Sequence, residues 1–168
     1  DGASFDPGAP GRVFTSTRTW RAIGFTLWSA TASTVLCLAL GVPGAWLLYR
    51  RRFRGVTALR TAVTIPFVLP TVVVGVAFGS LLRPDGLLGG LGLDGTAAPI
   101  IAALVFFNYS VAVRTIGTLW ERLDPRLAQA AATLGASQLR VLFTVTLPAL
   151  GPALVSAASL VFLFSASS

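Results

Sequence analysis

AIGFTLWSATASTVLCLALGVPGAWLLY, residues 22–49, lies between Arg21 and Arg50 without one charged side chain. It outlasts the roughly 20 apolar residues that a helix needs to cross the hydrocarbon layer of a bilayer. Trp20 and Trp28 stand toward one end, Trp46 and Tyr49 at the other. Amphipathic rings favour these positions, where lipid headgroups meet water.

Three further runs follow the same rule. TAVTIPFVLPTVVVGVAFGSLL, residues 61–82, is bounded by Arg60 and Arg83. A third run covers about 97–119 and passes Arg114, whose long side chain can snorkel to the interface. The fourth covers about 146–168, with Pro148 near its first turn. Hydrophobic residues make up 54% of the chain and charged ones only 11%, at a mean hydropathy of +0.78. A water-soluble domain carries about 25% charged residues. The expectation is an all-α, polytopic integral membrane protein with four transmembrane helices, preceded by a tail at 1–19. Asp1 at the start and the apolar LVFLFSASS at the end suggest a piece of a longer polypeptide.

The net charge is +7, and every basic residue is an arginine. A nucleic-acid binder would gather such charge on one surface. Here Arg50, Arg51, Arg52, Arg54 and Arg60 lie between runs one and two, and Arg114, Arg122, Arg126 and Arg140 between runs three and four. Asp85 and Asp94 sit in the loop between runs two and three. Arginines on alternate loops place those loops in the cytoplasm. The tail at 1–19 is then extracytoplasmic, the lipid bilayer is a partner and no nucleic acid is.

Several chemistries are excluded. A P-loop needs a lysine, and the chain has none; it also lacks histidine. Its one cysteine, Cys37, lies inside an apolar run and reads as a buried structural thiol. No acid falls inside an apolar run, where an ion-coupled carrier would often hold one. We therefore expect no catalytic residue, no metal and no cofactor.

The loop at 121–145 carries the most information. Asp124-Pro125 has the form of a helix N-cap with proline at the first helical position. Ala128, Ala130, Ala131 and Ala132 favour helix, and Gly135 suits a left-handed turn that ends it. SQLRVLF then starts a second short helix, and Thr146-Leu147-Pro148 leads back into the apolar run. Helix, glycine turn and helix make a small plug suited to a cleft on another protein.

This stretch resembles the EAA loop of ABC importer permeases, E-A-A-x3-G-x9-I-x-L-P. Gln129, Ala130, Ala131, Gly135, Val145, Leu147 and Pro148 fall at its spacing. Gln129 replaces the glutamate and Val145 the isoleucine. RRRFRG, IPFVLPTVVVG and DPRLAQAAATLGAS are similar to the same family over roughly residues 20–168. Together with FNYSVAVRTIGTLWERLDPRL, they most resemble the N-terminal half of thiamine and ferric-iron permeases. The resemblance implies four helices of an incomplete five-helix permease core in a bacterial inner membrane. It implies a cytoplasmic coupling helix in which Gln129, Ala130, Ala131, Ala132, Gly135 and Ala136 contact an ATPase. The implied partners are a cytoplasmic ABC ATPase dimer that binds the ATP, a second permease half (fused or separate) and an extracytoplasmic solute-binding protein. The implied solute is thiamine or ferric iron. Alternatives are sulfate, molybdate or a polyamine, or a membrane carrier that uses no ATPase.

Two features of the runs bear on a pathway. Pro66 and Pro70, four apart, would share one face of a kinked helix, as a gate or as packing geometry alone. Asn108, Tyr109 and Ser110 would line the pathway or hold helices together.

Overall fold

The computed structural model describes residues 17–168, which are all-α with no strand among them. The expected tail at 1–19 lies outside the described residues except for its last three positions. Helix α1, Thr17–Arg50, and helix α4, Ala98–Arg122, are each long and apolar enough to cross a membrane. Two bent pairs complete the chain. Helices α2, Val56–Val68, and α3, Thr71–Leu82, meet at 98°. Helices α6, Gln138–Ala149, and α7, Gly151–Ala166, meet at 68°. Counting each pair as one span gives up to four spans. The short α5, Pro125–Thr133, joins α4 to α6.

The expected single span at 61–82 is thus two helices, and its cause is Pro70. Proline forces the residue before it out of helical geometry. Leu69 accordingly sits at φ −76°, ψ 141° and closes α2, while Pro70 opens α3. Pro66 lies inside α2 and Pro70 outside both helices, so the two prolines do not share a helical face. At about 1.5 Å per residue neither helix alone matches the roughly 30 Å of a hydrocarbon layer. The expected span at 146–168 is divided in the same way. Pro148 follows a π-helical turn at Leu142–Thr146, and Pro152 takes the first turn of α7 after the break at Leu150.

Helices α1, α4 and α7 pack together as the core. On α7 the residues turned inward are Ala153, Ala157, Val161 and Ser165, every fourth position and mostly small. Where lipid is as apolar as leucine, association rests on close approach, and small residues allow it. Gly41 shows how close: a Cβ there would sit 3.1 Å from the Cβ of Ala112. At Gly117 a Cβ would run into the ring of Tyr49, and at Gly44 into the hydroxyl of Tyr109. Cys37 is fully buried against Ala112 and Val161, and its thiol donates to the Val105 carbonyl at 3.6 Å.

One polar knot joins all three core helices. Ser33 of α1 donates to Ser165 of α7 at 3.0 Å, and the Asn108 amide of α4 donates to the same hydroxyl oxygen at 3.2 Å. Asn108 also donates to the Leu104 carbonyl. These residues are among the most deeply buried in the chain.

Candidate functional site

The candidate site is built at the arginine-rich end of the bundle. Helix α4 stops at Leu123, whose extended backbone turns the chain away from the core. Asp124 then caps α5, its Oδ1 accepting the Arg126 amide at 2.9 Å. Pro125 fills the first helical position, where a missing N–H costs nothing. The helix ends in a paired-bond turn. Gly135 N–H donates to the Ala132 carbonyl at 3.0 Å, and Ala136 N–H donates to the Ala131 carbonyl at 3.1 Å. Gly135 stands at φ +84°, in the left-handed region that a side chain disfavours. Ser137 next caps α6, its hydroxyl accepting the Arg140 amide at 3.3 Å. Helix, glycine turn and helix thus lie where sequence reasoning expected them.

Ala128, Gln129, Ala132 and Ala136 line a cavity of about 630 Å³ that they share with Trp46 and Trp120 at the ends of α1 and α4. Four large apolar residues of the same stretch are mostly exposed: Leu127 at 62%, Leu134 at 89%, Leu139 at 69% and Phe143 at 64%; Leu139 also borders the cavity. They leave exposed apolar side chains on both sides of the Gly135 turn. Sequence reasoning fixed on the alanines and missed these four. Their signal was available, since large apolar residues stand on both sides of the Gly135 turn in the sequence.

Arg60 ties this end together. Its Nε donates to the Leu48 carbonyl at 2.7 Å, its guanidinium lies 4.2 Å from the centre of the Tyr49 ring, and it pairs with Glu121 at 3.6 Å. One side chain of α2 therefore holds the ends of α1 and α4. Arg51 stacks on Trp46 at 4.5 Å.

The four pathway candidates are not brought together. Asn108 is wholly buried in the core knot, and Tyr109 is half-buried against Gly44 of α1. Pro66 is partly buried in α2, and Pro70 is exposed at the α2–α3 bend. Among the described residues no group of histidine, cysteine, aspartate and glutamate could hold a metal ion.

Residues 38–167 match the family model of the binding-protein-dependent transport system inner membrane component. The chain is 35% identical over 156 residues to the sulfate transport system permease protein CysT of Escherichia coli K12, covering 89% of this chain and 56% of that protein. It is 36% identical over 148 residues to the molybdenum transport system permease protein ModB of Azotobacter vinelandii, covering 84% and 66% respectively. The chain therefore spans between about half and two thirds of these relatives' length. These relatives do not support the thiamine or ferric-iron expectation. The fold is similar to that of a bacterial ABC transporter involved in importing the acidic polysaccharide alginate, with a TM-score of 0.72 and 18% identity. That match covers 96% of this chain and 62% of the other.

Proposed function

The chain belongs to the family of binding-protein-dependent transport system inner membrane components, and we propose that it forms part of one permease half of an ATP-driven importer for a tetrahedral oxyanion of the sulfate or molybdate type. The observation that carries this reading is the α5–Gly135–α6 unit. It is capped at each step and carries exposed apolar side chains.

Closure of a partner ATPase must reach the spans through a stiff connector. Helix α5 is suited to this because its caps satisfy the backbone groups that otherwise fray a short helix. The exposed Leu127 of α5, Leu134 of the turn and Leu139 and Phe143 of α6 would sit in a cleft of a cytoplasmic ATPase subunit, two of which serve two permease halves. The neutral Gln129 stands where the related pattern has glutamate, and it faces the cavity shared with Trp46 and Trp120. Docking in this chain would then rest on apolar contact rather than on a charge at that position. ATP is bound and hydrolysed by the partner, and an extracytoplasmic binding protein delivers the solute. The arginines gathered at the α5 end support a cytoplasmic location for that end and an extracytoplasmic one for the start of α1.

The solute class is supported by the sulfate and molybdenum permeases among the relatives. The test is uptake into proteoliposomes that hold the full-length parent with its ATPase and binding protein. ATP-dependent accumulation of radiolabelled sulfate or molybdate is expected, with none of thiamine. Accumulation without ATP would replace this reading with a partner-free carrier.

A further inference from the structure

Helix α4 carries a polar stripe that neither its packing nor the coupling element uses. Ser110, Arg114, Thr118 and Arg122 follow one another at four-residue steps, so they lie on one helical face. That face forms the floor of a groove of about 550 Å³, walled by Thr64 and Phe67 of α2 and by Phe164 of α7.

Depth in the membrane makes the stripe unusual. Arg114 lies eight residues before the end of α4 at Arg122, or about 12 Å at the helical rise. A helix of 25 residues exceeds a hydrocarbon layer of about 30 Å by only a few ångströms at each end. With α4 centred upright in the layer, Arg114 is rooted inside it. An arginine at such depth is costly unless it snorkels to the interface or faces a partner or a water-filled cavity; the Ser110–Arg122 face meets a groove. No acid lines the groove. Glu121 pairs with Arg60, Asp85 with Arg83, and Asp124 caps α5.

A second feature points to a ligand. Ser110 is 6% exposed, borders the groove, and its hydroxyl has no hydrogen-bond partner. The stripe thus offers two guanidinium groups, which can only donate, beside a hydroxyl that has no partner. The complementary species is an anion rich in acceptor oxygens, which a guanidinium can grip through two oxygens at once. The groove is much larger than one such ion, so it suits a hydrated ion in passage better than a closed binding site. Successive weak contacts along a wall are also what a conducting route requires.

We propose that the Ser110–Arg122 face of α4 is a wall of the aqueous translocation route, and that Arg114 and Arg122 select for anions, tetrahedral dianions being the solute class. This rests on the permease reading above and adds to it the site of charge selection.

The test measures water access and local potential in the full-length parent, assembled with its ATPase and reconstituted. Cys37→Ala removes the native thiol. Single cysteines are placed in the groove (Val111→Cys, Thr115→Cys, Thr118→Cys) and, as a control, on α7 outside it (Val155→Cys). Each is treated with a methanethiosulfonate carrying either a sulfonate or a trimethylammonium group. Groove thiols are expected to react, the Val155→Cys control not, and the anionic reagent to be favoured. Arg114→Gln should lower the anion-to-cation rate ratio about three- to tenfold, the effect of one unit charge about 6 Å away in water with and without physiological screening. Raising salt to about 1 M should shrink the ratio without any substitution at Arg114, because screening then acts within about 3 Å. Sulfate, compared with chloride at equal ionic strength, should slow labelling at Thr115→Cys.

Groove thiols inert to both reagents would overturn the proposal by showing the face covered by protein or lipid. A rate ratio indifferent to Arg114→Gln and to salt would overturn the charge selection, and labelling indifferent to sulfate would overturn the dianion class. ATPase retention is measured on the same samples. Inert thiols with the ATPase retained count against this inference alone, whereas a parent that retains no ATPase counts against the permease reading beneath it.

Discussion

Replacing Gly135 tests the geometry of the connector with little interference from packing. A Cβ at this position would meet no atom within 4 Å, and the backbone stands at φ +84°. Any penalty is therefore conformational. A left-handed residue other than glycine costs about 1–2 kcal/mol, with alanine at the low end and β-branched valine at the high end. Asparagine, whose side chain tolerates this region, should cost the least. The strain acts on the turn that holds the Gly135–Ala132 and Ala136–Ala131 bonds. In hydrogen exchange of the full-length parent in nanodiscs, amides at 134–136 should therefore open about 5-fold more often in Gly135→Ala and about 30-fold more often in Gly135→Val. Gly135→Asn should stay close to the native rate, and ATP-driven uptake should fall in the same order. Native exchange in Gly135→Val would refute the argument, because the turn would then not depend on a left-handed residue.

Other outcomes follow from the same contacts. Asp124→Ala removes the cap on α5 and should destabilise that helix by about 1 kcal/mol, read as faster exchange at 126–128, whereas Asp124→Asn should retain most of the protection. A double-mutant cycle of Asn108→Ala and Ser165→Ala, read by reversible unfolding in bicelles, should give a coupling of about 0.6 kcal/mol, the usual worth of such a bond inside a membrane protein; zero coupling would remove the knot from the account of the core. Cys37 should resist maleimide in the folded protein and react fully in denaturant, since it is wholly buried. Rapid labelling of the native protein would contradict the packing of α1 on α4 and α7.

How much could be read without the structure depends on the range of the physics involved. The spans at α1 and α4 were legible because an apolar run of that length, with few or no charges, has few other uses. The N-cap at Asp124, the glycine turn and the cap at Ser137 were equally accessible, since capping is decided within a few residues. The right angle at Pro70 was only half legible. Proline announces a break, but the 98° that results depends on how α2 and α3 each lie against α4. Asn108 was left between pathway lining and holding helices together, because polarity along one run does not reveal which neighbours meet it. Its partner Ser165 lies 57 residues away, and Ser33 reaches the same hydroxyl from the first helix. The arginine stripe was present in the sequence as four-residue steps. Arg114 alone reads as a snorkelling residue, and only the groove walls contributed by α2 and α7 show what its face meets.

The central claim is that the α5–Gly135–α6 unit presents its exposed apolar side chains to an ATPase. Leu134 tests it most directly: it is 89% exposed, so a charge there leaves the packing of the chain intact while spoiling an apolar contact. The full-length parent, co-expressed with its ATPase and purified in mild detergent, should retain the ATPase with the native residue and lose it with Leu134→Asp, while the melting temperature of the parent stays unchanged. Full retention of the ATPase by a folded Leu134→Asp protein would contradict the account.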